Sequence, residues 1–191
     1  MMSEKEKMEK GMWYDANYDP ELFALRKRAQ AKALKLSAIP HDQFEERNKA
    51  IKELLGYMPE EFDLVTPFMV DYGVNIHIGK SVFINANCYF MDCANITIGE
   101  HTFIGPYCGL YTATHPLSYK QRNKGLEKAL PITIGKNCWL GGNVSIMPGV
   151  TIGDGCVIAA GAVVNRDVEE NCLAAGVPAK VIRKIDQDEL L

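Results

Sequence analysis

The sequence predicts a mainly β protein, in which an N-terminal helical segment precedes a parallel β-helix of hexapeptide repeats with one long excursion loop. Three observations predict it: amphipathic patterns up to residue 57, aliphatic residues at every sixth position after it, and a gap in that period over residues 112–131. We therefore divide the chain into a helical segment (1–57), a β-helix with its excursion and C-terminal tail (58–185) and terminal residues (186–191).

Three helices are predicted in the first segment from their start signals and apolar faces. Ser3 and Glu6 form a capping-box pattern, in which each side chain can bond the other residue's backbone. Asp19 and Pro20 are typical first residues of the second helix. The third pattern, "PHDQFEERNKAIKELLG" over residues 40–56, repeats its apolar side chains on one side and ends at a glycine.

The β-helix is predicted from two inward positions in each hexad. Position one is large and apolar in twelve hexads: Ile78, Ile84, Phe90, Ile98, Ile104, Leu110, Ile134, Leu140, Ile146, Ile152, Ile158 and Val164. Position five is small or β-branched: Val82, Cys88, Thr102, Cys108, Cys138, Val144, Val150, Cys156 and Ala162. Glycine often occupies position two, where we expect it to allow a tight, left-handed turn. Six residues thus form one short strand and its turn, and three hexads form a triangular coil.

The cysteines and histidines give little support for a metal site. None of the six cysteines forms a CxxC pair, and four occupy the small inward position, which favours buried free thiols. A zinc enzyme of the β-helix carbonic anhydrase type stays as a minor alternative, with His77, His101 and His115 as its ligands. We expect no metal.

Composition excludes some classes of partner. The net charge of −3 and the pI of about 5.8 argue against non-specific nucleic-acid binding. The apolar runs are too short to span a membrane, and the charged N-terminus has no secretory signal pattern. We expect a cytoplasmic protein without nucleic-acid or membrane partners.

His115 stands where the repeat stops, in the sequence "TATHP". Pro116 fixes the direction in which the chain leaves the coil. Because a histidine titrates near pH 6.5, its imidazole can act as a general base in the cytoplasm. From the residues alone, a solvated loop histidine is the alternative.

Five segments together resemble the maltose and galactoside O-acetyltransferases, a branch of the hexapeptide acyltransferases. They are "YDANYDPEL", "DYGVNIHIGKSVFINANC", "TATHP", "LPITIGKNCWLGGNVSIMPGVTIGDGCVIAAGAVV" and "AAGVPAKVIRKI", and the similarity runs from about Met12 to Ile185. The resemblance implies a left-handed β-helix, a homotrimer with sites between subunits, acetyl-CoA as acetyl donor, and transfer to a sugar hydroxyl.

The resemblance also implies the roles of individual residues around the acceptor. His115 matches the general base, and Asn85 matches a residue beside the acceptor. Asp15 and Asp71 match acceptor contacts, which suits sugars because a carboxylate accepts hydrogen bonds from hydroxyls. Cys93 stands where many relatives carry an acid, which leaves the acceptor open.

A second set of residues is implied for acetyl-CoA. It comprises Trp139, Gly142, Ala160, Asn165, Arg166, Lys180 and Arg183. Gly142 and Ala160 are eighteen residues apart, so they should stack on successive coils and leave a groove for the pantetheine arm. The backbone N–H of Gly142 would bind the oxyanion, and the cations suit the phosphates of the nucleotide.

Several functions stay open beside sugar acetylation. The same transfer could act on an antibiotic, serine or a nucleotide sugar, and a non-catalytic scaffold is a further alternative. Which sugar is the acceptor, maltose, glucose, a galactoside or another, is also open.

Overall fold

The computed structural model describes residues 2–189; Met1, Leu190 and Leu191, two of which belong to the predicted terminal segment, lie outside that range. The helices are α1 (Glu4–Glu9), α2 (Pro20–Ser37), α3 (Phe44–Leu55) and α4 (Tyr119–Arg122). The strands are β1 (Tyr14–Asp15), β2 (Asp63–Leu64), β3 (Phe68–Val70), β4 (Ile76–Ile78), β5 (Phe83–Ile84), β6 (Cys88–Met91), β7 (Ile96–Ile98), β8 (Phe103–Ile104), β9 (Gly109–Tyr111), β10 (Ala113–Thr114), β11 (Leu126–Ala129), β12 (Ile132–Ile134), β13 (Trp139–Leu140), β14 (Ser145–Ile146), β15 (Thr151–Ile152), β16 (Val157–Ile158), β17 (Val163–Val164), β18 (Cys172–Gly176) and β19 (Ala179–Lys184).

Helices α1 and α2 begin at recognisable sequence signals, and α3 ends at one, the glycine Gly56. The capping box before α1 is present, and the Asp19 carboxylate accepts from the backbone N–H of Leu22 at the start of α2. α3 begins at Phe44, later than predicted, because residues 41 and 42 form a turn after Pro40. The predicted segment boundary at residue 57 falls between α3 and β2. None of the helices within residues 2–189 is both long and apolar enough to cross a membrane.

The β-helix has three flat faces of parallel strands. Face 1 comprises β2, β5, β8, β13, β16 and β18, with β19 returning antiparallel beside β18. Face 2 comprises β3, β6, β9, β14 and β17, and face 3 comprises β4, β7, β12 and β15. In every pair position one lies on position one, as in Ile98 on Ile134 and Leu140 on Ile158. The predicted inward residues therefore form one continuous buried core.

The glycines at position two have a different role from the one predicted. Positive φ angles occur two residues later, at position four: Ser81, Asn87, His101, Tyr107, Asn137, Asn143, Gly149, Gly155 and Gly161. Position two instead touches the next coil. A Cβ on Gly99 would lie 2.5 Å from the carbonyl carbon of Gly135, and one on Gly141 would lie 2.6 Å from the backbone nitrogen of Ala160. Glycine is needed there because no side chain fits between the coils.

Residues at position five donate hydrogen bonds to the edges of the next coil. The pairs, each from a side chain to a carbonyl oxygen, are Cys88 to Gly105 (3.3 Å), Cys108 to Gly141 (3.2 Å), Cys138 to Gly153 (3.2 Å) and Thr102 to Gly135 (2.9 Å). All six cysteines are buried and free. The four repeat cysteines thus act as small core residues that also satisfy a carbonyl, as weak thiol donors can.

The excursion leaves the β-helix between face 2 and face 3. β10 runs out, the short helix α4 forms the tip, and β11 returns antiparallel to β10. On its other side β11 pairs with β1, a strand that the sequence analysis did not predict inside the helical segment. We call these three strands the excursion sheet. It joins the N-terminal segment to the loop where the repeat stops.

Gly99→Ala tests the close approach of the coils. The added methyl group would overlap the backbone of Gly135, so we expect the free energy of unfolding to fall by roughly 3 kcal/mol or more, as for severe overpacking. Gly56→Ala is the control, because Gly56 has a φ of +84° and nothing lies within 4 Å of the place where its added methyl group would be; it should lose only about 1–2 kcal/mol of left-handed strain. Chemical or thermal unfolding followed by circular dichroism measures both, and equal losses would contradict the steric explanation.

Candidate active site

His115 directly follows β10, at the base of the excursion. Because β10 runs antiparallel to β11, with Thr114 opposite Lys128, His115 lies opposite Glu127. Its Nδ1 is 2.9 Å from the carbonyl oxygen of Leu126. A carbonyl only accepts, so Nδ1 carries the proton and Nε2 keeps its lone pair in the neutral ring. The side chain is 41% exposed, so Nε2 is within reach of a substrate.

Glu127 is the acidic partner of His115. Its Oε2 lies 3.5 Å from Nε2 of His115, and its other oxygen, Oε1, accepts a hydrogen bond from the hydroxyl of Tyr14. Glu127 is only 8% exposed and Tyr14 is fully buried. Burial raises the pKa of Tyr14 above its ordinary range, so this hydroxyl keeps its proton and stays a donor. The Tyr14 hydroxyl therefore holds the Glu127 carboxylate beside the imidazole of His115.

Asp71 lies in a second buried polar cluster behind the excursion sheet. Its two carboxylate oxygens accept from the hydroxyl of Tyr89 and from the thiol of Cys93, the latter at 3.4 Å. Asp71 is 8% exposed. Both of its oxygens therefore already have donors within the chain.

Asp92 shapes the same turn from inside. Its carboxylate accepts from the backbone N–H groups of Asp71 (3.0 Å), Tyr72 (2.8 Å) and Asn75 (3.2 Å). The residue is fully buried, and this desolvation raises the pKa of Asp92 to about 7, although the backbone donors of Tyr72 and Asn75 act in the opposite direction. Asp92 fixes the backbone that carries Asp71.

Asp15 lies one strand away from His115. Within β1 it pairs with Leu126, whose carbonyl orients the imidazole. Its Oδ1 accepts from the backbone N–H groups of Asn17 (3.1 Å) and Tyr18 (2.9 Å), which closes the turn before α2. No donor to the other oxygen, Oδ2, occurs within residues 2–189.

A second group of predicted residues lies at the opposite edge of face 2. Asn85, Gly142 and Ala160 are in the turns between face 1 and face 2, and Trp139 is on face 1 with 56% of its surface exposed. Across residues 2–189, the N–H of Gly142 has no acceptor. The atoms nearest to a Cβ on Gly142 would be those of Pro106, at 3.4 Å or more, and Ala160 is exposed. Small residues on successive coils therefore leave this edge open, and we call it the channel.

The predicted cationic residues are in two places. Lys180 and Arg183 are exposed on β19, beside face 1. Asn165 and Arg166 are exposed between face 2 and face 3, on the His115 side. Within one chain these four residues do not form a single patch.

One chain does not bring its two groups of site residues together. The extended stretch from Gly109 to His115 crosses face 2 and spans about 20 Å at the usual rise per residue. His115, Asp15 and Asp71 are at one edge of face 2, while Asn85, Gly142 and Ala160 are at the other. The three candidate zinc ligands are also apart, with His77 on face 3 and His101 in the turn before face 1. Over the described part of the chain, no group of three or more metal-ligating side chains converges.

Similar proteins cover nearly the whole chain. A family model described as "Maltose acetyltransferase hexapeptide capping motif" matches residues 7–58, and one described as "Bacterial transferase hexapeptide (six repeats)" matches residues 131–166. A candidate acetyltransferase of Staphylococcus haemolyticus is 54% identical over 188 residues, which cover 98% of each chain. A candidate acetyltransferase of Saccharomyces cerevisiae is 46% identical over 179 residues, which cover 94% of this chain and 91% of that protein.

Solved structures agree with these relatives. A maltose O-acetyltransferase from Clostridium difficile has 39% identity and a TM-score of 0.93, covering 97% of this chain and 99% of its own. A galactoside acetyltransferase in complex with coenzyme A has 34% identity and a TM-score of 0.87, covering 97% and 92%. A hexapeptide-repeat acetyltransferase of Vibrio cholerae in complex with acetyl coenzyme A has 40% identity and a TM-score of 0.88, covering 97% and 100%.

The chain belongs to the maltose and galactoside O-acetyltransferase family. It is therefore an acetyltransferase, and the predicted fold class is confirmed: a left-handed parallel β-helix of hexapeptide repeats with N-terminal helices and one excursion. The roles of the individual site residues stay predictions.

Two residues of the candidate site, Glu127 and Tyr14, were not predicted from the sequence. The signal for Glu127 was available: "TATH" and "LEKAL" flank a polar tip, as two strands of a hairpin do, and pairing them places an acid opposite His115. No local signal marks Tyr14. Its contact with Glu127 joins residues 113 positions apart, through a two-residue strand inside a segment that otherwise reads as helical.

Asp92→Asn tests the buried carboxyl of this acetyltransferase through the pH dependence of stability. Because the folded-state pKa is raised to about 7, the folded protein keeps a proton that the unfolded chain has lost, so wild-type stability falls as pH rises from about 4 to 7. The variant lacks this dependence. We expect the difference in melting temperature, wild type minus variant, to shrink as pH rises across that window. A difference that is independent of pH would mean that Asp92 is ionised throughout.

Proposed function

We propose that the enzyme transfers an acetyl group from acetyl-CoA to a hydroxyl group of a simple sugar, of the maltose, glucose or galactoside type. The observation that carries the proposal is the orientation of His115. Its Nδ1–H donates to Leu126, which directs the free lone pair of Nε2 outward beside the carboxylate of Glu127. Family membership supplies acetyl transfer, and this geometry supplies the base that a hydroxyl acceptor needs.

In the proposed reaction His115 moves a proton in two directions. Its Nε2 takes the proton of the acceptor hydroxyl while the oxygen forms a bond to the acetyl carbon. The carbon–sulfur bond then breaks, and the imidazolium returns the proton to the departing sulfur. Glu127 stabilises the imidazolium between these two steps, because its carboxylate oxygen lies 3.5 Å from Nε2.

The channel at the edge between face 1 and face 2 fits the acetyl donor. Acetyl-CoA supplies the activated thioester. Gly142 and Ala160 leave room for a thin arm, and the N–H of Gly142 can donate to the acetyl oxygen as negative charge develops there. Trp139 borders the channel, and Lys180 and Arg183 can bind phosphates at its face 1 end.

Acceptor binding is proposed for the polar surroundings of His115. Oδ2 of Asp15 can accept from sugar hydroxyls on the His115 side. Asn85 is at the opposite edge of its own chain, so the Asn85 of a neighbouring copy would donate its side-chain N–H₂ group, while its oxygen accepts from the N–H of Ala86. Asp71 contributes through Tyr89, since both of its oxygens are already bonded. Cys93 binds Asp71 in place of an acid, so one negative charge fewer faces the sugar.

A homotrimer is proposed because each chain carries one half of the site at one edge of face 2 and the other half at the opposite edge. Flat faces can pack side by side, and the edge with His115 would then meet the edge with Gly142 of a neighbouring copy. Asn165 and Arg166, which are on the His115 side, would reach the donor that the neighbour binds. Three such contacts close a ring.

The cytoplasm is the proposed location. Six free cysteines suit a reducing compartment, and neither a nucleic acid nor a membrane is a proposed partner of this enzyme.

His115→Ala tests the general base. We expect kcat with the best sugar acceptor to fall by ~10²–10⁴, which is the usual contribution of a positioned base, while the KM for acetyl-CoA and the oligomeric mass stay unchanged. His77→Ala is the matched control, because His77 is an exposed histidine on face 3 that should not affect turnover. Release of free coenzyme A thiol measures the rate.

The result that contradicts this proposal is a His115→Ala enzyme with most of its kcat on the best acceptor of a panel. In that case the histidine would be a loop residue, and another group would have to take the proton.

Mixed oligomers test the shared site. Ala160→Trp should fill the channel, so that variant and His115→Ala should each be inactive alone. Co-expressed at equal amounts, they should regain about a quarter of wild-type activity, because each mixed trimer contains one intact site out of three. Light scattering checks the mass. No recovery from verified mixed trimers would place both groups in one subunit, and a monomer would exclude the shared site.

A further inference from the structure

Three side chains lie side by side on the excursion sheet: one on β1, one on β11 and one at the residue that follows β10. Tyr14 on β1 pairs with Glu127 on β11, and His115 lies opposite Glu127 on the other side. The Tyr14 hydroxyl donates to Oε1 of Glu127, and Oε2 of Glu127 lies 3.5 Å from Nε2 of His115. One carboxylate thus bridges a buried hydroxyl and the exposed imidazole.

The carboxylate of Glu127 depends on these two contacts for its stabilisation. It is 8% exposed, and within residues 2–189 its one partner at ion-pair distance is His115. Burying an ionised carboxylate is costly unless donors satisfy it. When His115 is neutral, the Tyr14 hydroxyl is the remaining side-chain donor to Glu127. The hydroxyl therefore fixes the direction of the carboxylate.

Tyr14 is itself held firmly. Its ring packs in a small cluster with Met8, Leu22 and Tyr72, among other residues. The strand that carries it is tied at the next two residues: the N–H of Asp15 donates to Glu4 at 2.7 Å, and the N–H of Ala16 donates to the carbonyl of Gly125 at 2.9 Å. A donor on so fixed a support restricts the carboxylate that it binds.

We infer that Tyr14 is a positioning residue for acetyl transfer and that it acts on His115 through Glu127. The N-terminal helical segment, which carries Tyr14, is then a part of the catalytic centre. The inference rests on the proposed role of His115 as the base. With the hydroxyl present, Glu127 meets the imidazolium as a charged, oriented carboxylate when the acceptor's proton arrives. Without it, the Glu127 carboxylate is free to turn away, and the imidazolium loses its stabilising neighbour.

Tyr14→Phe and Glu127→Gln, singly and together, test the inference. Phe keeps the ring in its cluster and removes only the hydroxyl. We expect kcat to fall roughly tenfold in Tyr14→Phe, as for loss of an outer partner of a working residue, with the KM for acetyl-CoA unchanged. In the Glu127→Gln background, Tyr14→Phe should cause no further loss. Additive losses would overturn the inference, since Tyr14 would then act by another route.

Tyr57→Phe is the control for general effects of losing a buried hydroxyl. The Tyr57 hydroxyl bonds the backbone of Ile76 and Ile78 on face 3, away from the excursion sheet. We expect this variant to melt at a lower temperature with an unchanged kcat. A fall in kcat equal to that of Tyr14→Phe would mean that loss of stability, and not positioning, explains both.

An NMR titration of the His115 ring gives a readout that does not depend on activity. The charged or titratable groups around the pair are Glu127 on β11, His115 after β10, Cys93 after β6 and Tyr72 after β3. We expect the His115 titration midpoint in Tyr14→Phe to move to lower pH, in the same direction as in Glu127→Gln. An unmoved midpoint overturns the inference. A moved midpoint in an enzyme that does not need His115 for turnover would refute the proposed function and leave the coupling intact.

If Tyr14→Phe fails to fold, 3,5-difluorotyrosine placed at position 14 keeps both the ring and the hydroxyl and strengthens the donor. The His115 midpoint and kcat should then both differ from those of the unmodified enzyme. Identical values in the two proteins would overturn the inference.

Discussion

The structure depends on how closely successive coils approach at the edges of the β-helix. At position two the backbone of one coil lies where a Cβ of the next would be, as between Gly99 and Gly135. The stacked strands need this close contact so that the backbone groups of neighbouring coils can pair. Position-five side chains then donate to the carbonyls at the same edges. The six-residue period is therefore a steric and a hydrogen-bonding requirement together.

Such regularity leaves little room for chemistry on the faces. The faces consist of short, regular strands, and the predicted acceptor residues Asn85, Asp71 and His115 each follow the end of a strand. The excursion and β1 form a small antiparallel sheet that stands outside the prism and orders its own polar row. The opposite edge of face 2 carries small residues, and within residues 2–189 the N–H of Gly142 there has no acceptor. The trimer is proposed because the two groups of site residues are at opposite edges of face 2.

Much of this architecture was predictable because it is periodic. The buried positions, the excursion at residues 112–131 and the helix starts at Ser3 and Asp19 follow from local patterns that need no partner. The predicted role of the position-two glycines was wrong. A glycine in a sequence shows that no side chain is present, but it does not show whether a positive φ angle or a close neighbouring backbone excludes one. Strand β1 was not predicted, because a strand of two residues is too short to show a periodic pattern of apolar side chains. Contacts between distant segments, such as Tyr14 with Glu127, leave no local trace.

The pairing of β1 with β11 has a consequence for synthesis. Tyr14 leaves the ribosome 113 residues before Glu127, its partner, which at ordinary translation rates is a delay of roughly 6–20 s. During that time the first three helices and the early coils can form, while the hydroxyl of Tyr14 has no carboxylate to meet. Because non-local pairing is slow compared with helix formation, the excursion sheet closes near the end of folding. We therefore expect a nascent chain to acquire its overall shape before Tyr14 meets Glu127.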